Sequence, residues 1–212
     1  NYCYSINKEI EYEVGTEESI QYFSSNILEN FLNDLSKKLE KDKFEKIRYV
    51  VIQSGTSLNE NKNTGEYEKD RLEKMLVVVK KYGKLSKEHN GDYLSSSLIR
   101  SKFDLGLDAI NIAPEFGQIE TRTFLNEIKK KNRHDLFEKY YQLCLKSNKW
   151  IKWVNDDFDP ENNKEALVNI CGHYVLSTQD FLNTIKVEFP DIDAQIKINI
   201  EKKIKNLLKC IT

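Results

Sequence analysis

Polar and ionisable residues gather at two points of the sequence where a predicted strand ends and a helix begins. The first is the run Lys-Glu-His-Asn-Gly-Asp at residues 87–92. The second lies within residues 107–121, where a buried strand over residues 109–113 breaks at Pro114 and is followed by Glu115. Because α/β proteins build active sites where strands give way to helices, these two junctions predict a functional site.

His89 is the residue of the first junction whose side chain offers the most chemistry. Together with Asp92 or a glutamate, its imidazole could act in acid–base catalysis or bind a divalent metal such as zinc. Two other roles stay open, namely contact with a ligand without chemistry and a hydrogen-bonded structural histidine. His134 and His173 fall in predicted helical regions, which favours structural roles for both.

Lys87 could form a Schiff base or bind a phosphate group. Alternation along a strand places Lys87 and His89 on one face and Glu88 on the other. If the strands close into a barrel with Lys87 inside it, the lysine needs an acidic partner, which Glu17 or Glu115 could supply. An internal ion pair without catalysis explains Lys87 at least as well.

Two glycines mark places where a phosphate group could bind. A helix is predicted to open at Gly117, and backbone N–H groups at helix N-termini bind phosphate. The neighbouring Glu115 would repel an anion. Its carboxylate is better suited to bind a metal, to act as a base or to accept hydrogen bonds from sugar hydroxyls. Gly55 and Thr56 follow another predicted strand and form a second candidate loop, although a simple turn explains them too.

Regularly alternating strands and helices position these junctions. Alternating or β-branched apolar residues predict four strands, at residues 9–15, 47–52, 85–89 and 109–113. Apolar residues three and four apart predict helices at residues 18–40, 72–83 and 93–105 and a further helix after the fourth strand. Strict β-α alternation predicts a parallel sheet with right-handed crossovers. The remaining residues have no strand pattern and predict an all-helical appendage, whose last helix begins at Asp191.

We therefore predict a partial (β/α) barrel over residues 1–132 and a helical C-terminal extension over residues 133–212. Four β-α units make half of a (β/α)8 barrel. Half a barrel would expose two unpaired strand edges, so we expect further β-α units in a removed N-terminal part or on a partner chain. The chain begins at Asn1 without a methionine or a signal-peptide pattern, which agrees with a processed or truncated product.

Composition excludes several classes of protein. The 212 residues are 32% charged and 39% hydrophobic and carry a net charge of −1, as in soluble globular proteins. This charge gives no general attraction to nucleic acid or to an anionic membrane, and no apolar run approaches the ~18 residues of a membrane-spanning helix. The four cysteines are far apart, form no C-x-x-C pair and predict free thiols in a reducing cytoplasm.

Five segments resemble, in their order along the chain, those of one protein family. They are Tyr-Glu-Val-Gly-Thr-Glu at 12–17, Val-Val-Ile-Gln-Ser-Gly-Thr at 50–56, Glu-His-Asn-Gly-Asp-Tyr at 88–93, Ile-Ala-Pro-Glu at 112–115 and His-Tyr-Val-Leu-Ser at 173–177. The series is similar to that of the non-catalytic subunit family of class II D-tagatose-1,6-bisphosphate aldolase, also described as tagatose-6-phosphate kinase-like. The resemblance covers most of this chain but only the C-terminal half of a family member.

The resemblance implies the C-terminal half of a TIM barrel, followed by the helical appendage. In such a barrel the C-terminal ends of the strands face one mouth. The candidate catalytic residues at this mouth are Glu17, Lys87, His89 and Glu115, with His89 also a candidate metal ligand. The candidate substrate-binding residues are Gln53, Ser54, Gly55, Asn90, Asp92, Asn111 and Gly117.

Three functions agree with this set of residues. The resemblance implies an accessory subunit in carbohydrate metabolism, which binds a sugar phosphate or stabilises a zinc-dependent aldolase, a lyase that cleaves or forms ketose bisphosphates. Alternatively, the mouth residues themselves carry out metal-assisted aldolase or epimerase chemistry on a sugar phosphate. The third function is that of an interaction protein whose helical appendage docks a partner. The expected partners are a sugar phosphate, a catalytic aldolase subunit, and either a second copy in a homo-oligomer or the missing half of the barrel.

Overall fold

The computed structural model of the chain describes residues 2–15, 23–56, 58–59 and 62–211. The chain forms two compact units, of which the first consists of residues 1–57 and 63–112 and the second of residues 58–62 and 113–212. The helix after the fourth predicted strand, which the sequence analysis assigns to the barrel part, therefore belongs to the second unit.

Six short strands occur in the described residues. They are Tyr12–Val14 (β1), Ile47–Ile52 (β2), Leu58–Asn59 (β3), Lys62–Asn63 (β4), Leu85–Glu88 (β5) and Ala109–Ile110 (β6). Strands β1, β2, β5 and β6 form one parallel sheet in that order, and β3 and β4 form a separate two-stranded sheet. The four-stranded sheet confirms the predicted parallel sheet, whereas β3 and β4 lie where no strand is predicted and interrupt the β-α alternation.

Ten α-helices occur in the same part of the chain. They are Tyr2–Ile6 (α1), Ser25–Lys38 (α2), Lys41–Glu45 (α3), Lys69–Lys81 (α4), Ser96–Asp104 (α5), Pro114–Lys130 (α6), His134–Ser147 (α7), Lys164–Cys171 (α8), Gln179–Thr184 (α9) and Ile192–Ile211 (α10). Short 3₁₀ helices lie at Ile151–Trp153, Gly172–Tyr174 and Lys186–Glu188. None of the described helices combines enough length with enough apolar character to cross a bilayer.

The local sequence explains where several helices of the first unit begin and end. Ser24 caps α2 by accepting a hydrogen bond from the Ile27 N–H at 3.4 Å. Ser95 caps α5 in the same way, accepting from the Leu98 N–H at 3.2 Å. Gly83 adopts a φ of +66° just after α4, where a residue in the left-handed region ends a helix.

The core of the first unit lies between the parallel sheet and the two helices α2 and α4. Its members are apolar side chains that are nearly inaccessible to solvent, among them Leu28, Leu32, Val50, Ile52, Leu72, Met75 and Val79. Burial of one such side chain stabilises a protein by roughly 1.5–3 kcal/mol. This core therefore fixes which face of the sheet the helices cover.

The core of the second unit is built around aromatic side chains. The rings of Phe124, Tyr140 and Phe181 are 2%, 0% and 0% exposed. The Phe181 ring centroid lies 4.9 Å from those of both Phe124 and Tyr140, and the Phe124 pair has the edge-to-face geometry that aromatic rings prefer. Helices α6, α7 and α9 are thus held together by one aromatic cluster.

The helix after the fourth strand begins at Pro114, three residues before the predicted start at Gly117. Proline suits the first helical position because it has no N–H to leave unsatisfied and its φ is already close to the helical value. The Gly117 N–H donates to the Ala113 carbonyl at 3.5 Å within the first turn. The fourth strand accordingly ends at Ile110, earlier than predicted.

Candidate functional site

The helices of the first unit that follow strands β1, β2 and β5 all lie on one face of the parallel sheet. Val50 and Ile52 of β2 point to this face, where they pack against α2 and α4. Ile52 pairs in register with Glu88 of β5, so Glu88 points to the same face. Lys102 of α5 bonds to Glu88, which places α5 there as well.

The opposite face of the sheet carries three ionisable side chains, Glu13, Lys87 and His89, which we call the Glu13 cluster. Glu13 lies in β1, Lys87 lies in β5, and His89 follows β5 directly. The Lys87 Nζ lies 2.5 Å from one carboxylate oxygen of Glu13, and the His89 Nε2 lies 2.5 Å from the other. Each oxygen of this carboxylate therefore has its own nitrogen partner.

The Glu13 cluster is partly accessible to solvent. The side chains of Glu13, Lys87 and His89 are 30%, 20% and 33% exposed. Burial alone would raise the pKa of Glu13, but the hydrogen bonds and charges of its two partners outweigh it and hold the pKa below the ordinary value. A lysine ammonium has three N–H donors, so Lys87 can bind an anion while it keeps its contact with Glu13.

The structure gives Lys87 an acidic partner that the sequence analysis does not find. Glu17 lies outside the described residues, and Glu115 forms an ion pair with Lys203 in the second unit. The partner is Glu13, which lies inside β1, whereas Glu17 and Glu115 both follow a predicted strand. The two-residue alternation of this segment puts Glu11 on the same face as Glu13, so it could not single out Glu13.

On the helix-covered face of the sheet, Lys102 of α5 is completely buried beside Glu88. The Lys102 Nζ lies 2.5 Å from the Glu88 Oε2 and 2.6 Å from the Ser54 Oγ, and the side chains of Lys102 and Glu88 are 0% and 2% exposed. A buried lysine needs such partners, because an unpaired charge away from water is very costly. Lys102 thus ties the ends of β2 and β5 to one helix.

The predicted binding residues that follow β2 stabilise the conformation of the loop in which they lie. The Gln53 Oε1 accepts a hydrogen bond from Arg71 at 3.0 Å. Gly55 has a φ of +93°, and a Cβ added there would lie 2.0 Å from the Glu66 carbonyl oxygen. This turn therefore requires glycine, both for its backbone conformation and for the close approach of a neighbouring carbonyl.

Amide side chains hold the loop that follows β5. The Asn90 Nδ2 donates to the Thr56 carbonyl at 3.0 Å, and the Asn63 Nδ2 donates to the carbonyls of Asn90 and Asp92 at 3.2 and 3.3 Å. Asp92 is completely buried, and the next residue, Tyr93, has a φ of +60°. A tyrosine in the left-handed region stores local strain of about 1–3 kcal/mol, which the surrounding hydrogen bonds must offset.

Asn111 joins the ends of β5 and β6 through its backbone. Its N–H donates to the Glu88 carbonyl at 2.7 Å, and its carbonyl accepts from the Gly91 N–H at 3.0 Å.

Of the predicted site residues, the structure brings Lys87 and His89 together through Glu13. The predicted substrate-binding residues of this unit lie in the surrounding loops, and their contact with a substrate stays a prediction.

Glu115 and Gly117 lie in the second unit, in the first turns of α6. The carboxylate of Glu115 pairs with Lys203 of α10. A Cβ added at Gly117 would lie 2.8 Å from the side chain of His173, so the glycine allows α6 to pack closely there. The proposed roles of Glu115 in catalysis and of Gly117 in phosphate binding stay predictions.

A divalent metal at His89 also stays a prediction. An imidazole nitrogen and a carboxylate oxygen are suitable zinc ligands, and His89 and Glu13 would supply one of each. In the part of the chain that the structure describes, no group of three or more His, Cys, Asp or Glu side chains is placed to hold a metal ion. The predicted site residue Glu17 lies outside that part.

No protein-family model matches this chain, and no curated protein matches it either. Solved structures, by contrast, are similar to this chain. A probable tagatose 6-phosphate kinase from Sinorhizobium meliloti is similar with a TM-score of 0.65 at 16% identity, over 83% of this chain and 48% of that chain. Fructuronate-tagaturonate epimerase UxaE from Cohnella laeviribosi, complexed with glycerol, is similar with a TM-score of 0.65 at 13% identity, over 97% of this chain and 48% of that chain.

At these identities, the similarity is one of fold. The chain spans about half the length of each of these structures, with 48% of either one covered. A four-stranded parallel sheet in sequential order that matches half of a longer chain is consistent with a partial barrel.

Proposed function

We propose that this chain supplies half of a (β/α)8 barrel whose mouth binds a sugar phosphate. The observation that carries this proposal is the Glu13 cluster, which lies on the face of the sheet opposite to α2, α4 and α5. In a (β/α)8 barrel the helices lie outside, so the opposite face is the interior. The sequential order of the strands supports a barrel, because a doubly wound sheet reverses its strand order and carries helices on both faces.

The Glu13 cluster combines the groups that a sugar phosphate requires. The Lys87 ammonium can bind phosphate oxygens as a compact positive charge, and the Glu13 carboxylate can accept hydrogen bonds from sugar hydroxyls. The two similar structures are named for tagatose 6-phosphate and for fructuronate and tagaturonate. All three compounds are anionic keto sugars, which supports this class of ligand for the present chain.

Within this class, we propose the role of a non-catalytic subunit that supports a class II aldolase. The ordered series of strand-end segments that resembles that subunit family supports this role. Lys87 forms an ion pair with Glu13, whereas Schiff-base formation requires a free neutral amine. Its geometry therefore favours binding of an anion over covalent chemistry.

A second candidate function is epimerisation of the bound keto sugar by the chain itself. The observation that favours it is the 2.5 Å contact between the His89 Nε2 and the Glu13 carboxylate. A carboxylate that orients an imidazole is a common arrangement for a general base. Such a base would remove a proton from a carbon next to the ketone to leave an enediolate, and a proton from water, added on the opposite face, would complete the epimerisation.

Calorimetric titration of the chain with tagatose 6-phosphate tests the proposed binding. We expect Lys87→Gln to weaken binding by about tenfold or more, because it removes a charge-assisted hydrogen bond worth about 1.5–3 kcal/mol. The control is Lys81→Gln, which breaks an ion pair with Glu29 on the surface of the same unit and should leave the affinity unchanged. No binding by the wild-type chain, or equal binding by Lys87→Gln, refutes the proposal.

Nuclear magnetic resonance in heavy water separates the two candidate functions. Carbon-bound deuterium in tagatose 6-phosphate, lost with His89→Gln, supports epimerisation by the chain. Binding without deuterium uptake supports the accessory role. That role further requires that the chain co-elute with a purified class II aldolase and raise its activity, and failure of both would refute it.

A further inference from the structure

A groove of about 500 Å³ lies among α6, α9 and α10 in the second unit, apart from the Glu13 cluster. Its apolar floor includes Phe124 and Phe181, which are 2% and 0% exposed. Helix α10 contributes one face to the groove, with residues spaced by three and four positions, namely Asp193, Ile196, Lys197, Ile200 and Glu201. A pocket of this volume with an apolar floor and a few polar groups is typical of small-molecule sites.

Most charges at the rim of the groove already have a partner. The Lys186 Nζ lies 2.9 Å from the Asp193 carboxylate. Glu201 lies 4.0 Å from Lys197 and 3.9 Å from Lys205 along the same helix. Asp193 is thus paired with a lysine of the preceding 3₁₀ helix, and Glu201 with lysines of α10 itself.

Glu120 of α6 is the exception at this rim. No cation in the described residues forms an ion pair with its carboxylate, although the side chain is partly buried against the apolar floor. Burial and the charge of Asp193 raise the pKa of Glu120, while the charge of Lys186 lowers it. The Glu120 carboxylate therefore has no direct ion-pair partner among the described residues, at a place where water is partly excluded.

We propose that this groove binds a small organic monocation, such as an alkyl or aryl ammonium, whose charged head pairs with Glu120. The apolar body would lie against Leu176, Ile196 and Ile200, the partly exposed apolar residues of the groove, so one ligand contacts both the carboxylate and the apolar wall. A simple anion does not fit, because it would meet the Glu120 carboxylate. A neutral apolar molecule would fill the floor but leave the carboxylate without a partner.

Three probes with the same six-carbon chain test the proposal by charge alone. Hexylammonium, hexanol and hexanoate are titrated into the full ¹⁵N-labelled chain, and amide shifts at α6, α9 and α10 report binding. We expect hexylammonium to bind about twofold to fivefold more tightly than hexanol, as for one partly exposed ion pair, and hexanoate to bind most weakly.

Two variants locate the charge that gives this preference. Glu120→Gln should remove the advantage of hexylammonium over hexanol, whereas Glu201→Gln, at the same rim, should keep it because Glu201 already has lysine neighbours. Equal binding of hexylammonium and hexanol to the wild-type chain would overturn the proposal. So would shifts outside the groove only, or a preference that survives in folded Glu120→Gln. The wild-type probe series decides the matter by itself if Glu120→Gln fails to fold.

Discussion

We expect Lys102→Met to destabilise the chain by roughly 3–5 kcal/mol, because it leaves the Glu88 carboxylate buried without its counter-ion. The Lys102 side chain is 0% exposed, and its Nζ lies 2.5 Å from the Glu88 Oε2. Within the described residues, the other oxygen of this carboxylate accepts no hydrogen bond. Methionine is unbranched and flexible like lysine, so the change in packing is small beside the loss of charge. Against a typical stability of about 5–15 kcal/mol, this loss is large.

A double variant separates the unpaired charge from any loss of packing. Lys102→Met together with Glu88→Leu removes both charges and keeps the volume apolar. Because apolar replacement of a buried ion pair is often close to neutral, we expect the double variant to recover about 2–4 kcal/mol of the loss. Lys81→Met, which breaks the exposed pair with Glu29, is the matched control and should leave the stability nearly unchanged.

Urea unfolding followed by two signals measures these differences. Far-ultraviolet circular dichroism reports the helices and strands of both units. Fluorescence reports the second unit, because both tryptophans, Trp150 and Trp153, lie there. The reasoning is refuted if Lys102→Met costs less than about 1 kcal/mol, or if the double variant is as unstable as the single one.

Three further substitutions test other parts of the structure. The pKa of Glu13 is lowered on folding, so its stabilising effect is present above the ordinary value of 4.5 and is lost as the pH falls through the lowered value. The difference in urea midpoint between wild type and Glu13→Gln should therefore shrink from about pH 6 to about pH 3, and a constant difference would contradict this. Gly55→Ala should cost about 1–3 kcal/mol more than Gly83→Ala in thermal unfolding. Both glycines have positive φ, but an added Cβ at Gly55 meets the Glu66 carbonyl at 2.0 Å and one at Gly83 meets nothing within 4 Å. Equal costs would argue against the clash. Phe181→Ala should cost roughly 3–5 kcal/mol in the fluorescence transition, because the ring is 0% exposed in the aromatic cluster; a cost below about 1 kcal/mol would contradict that packing.

The elements of this chain could be predicted because each has its own apolar period. The β-branched run of β2 matches its predicted bounds, and the last helix begins at Ile192, one residue after the prediction. The C-terminal end of the fourth strand was predicted less accurately. Ile112 and Ala113 are apolar enough for a strand, but the structure uses only Ala109–Ile110 in the sheet, and the next helix already begins at Pro114.

The candidate site was predicted in part. Lys87 and His89 were found because they follow or end a strand, and the structure places them in one cluster. Glu13 was missed because nothing in its neighbourhood distinguishes it from the other glutamates of the N-terminal segment. Its contact with Lys87 spans 74 residues, so only the pairing of strands can reveal it.

The order of the four strands of the parallel sheet, and the faces on which their side chains lie, follow from the periods of the sequence. Alternation along β5 was enough to put Lys87 and His89 on one face and Glu88 on the other, because that period is a property of the extended backbone. Which residues meet across these faces depends on the tertiary structure. Strand order and register bring Glu13 to Lys87, and the packing of α5 brings Lys102 to Glu88. These contacts depend on how distant segments share one core, and no local period encodes that arrangement.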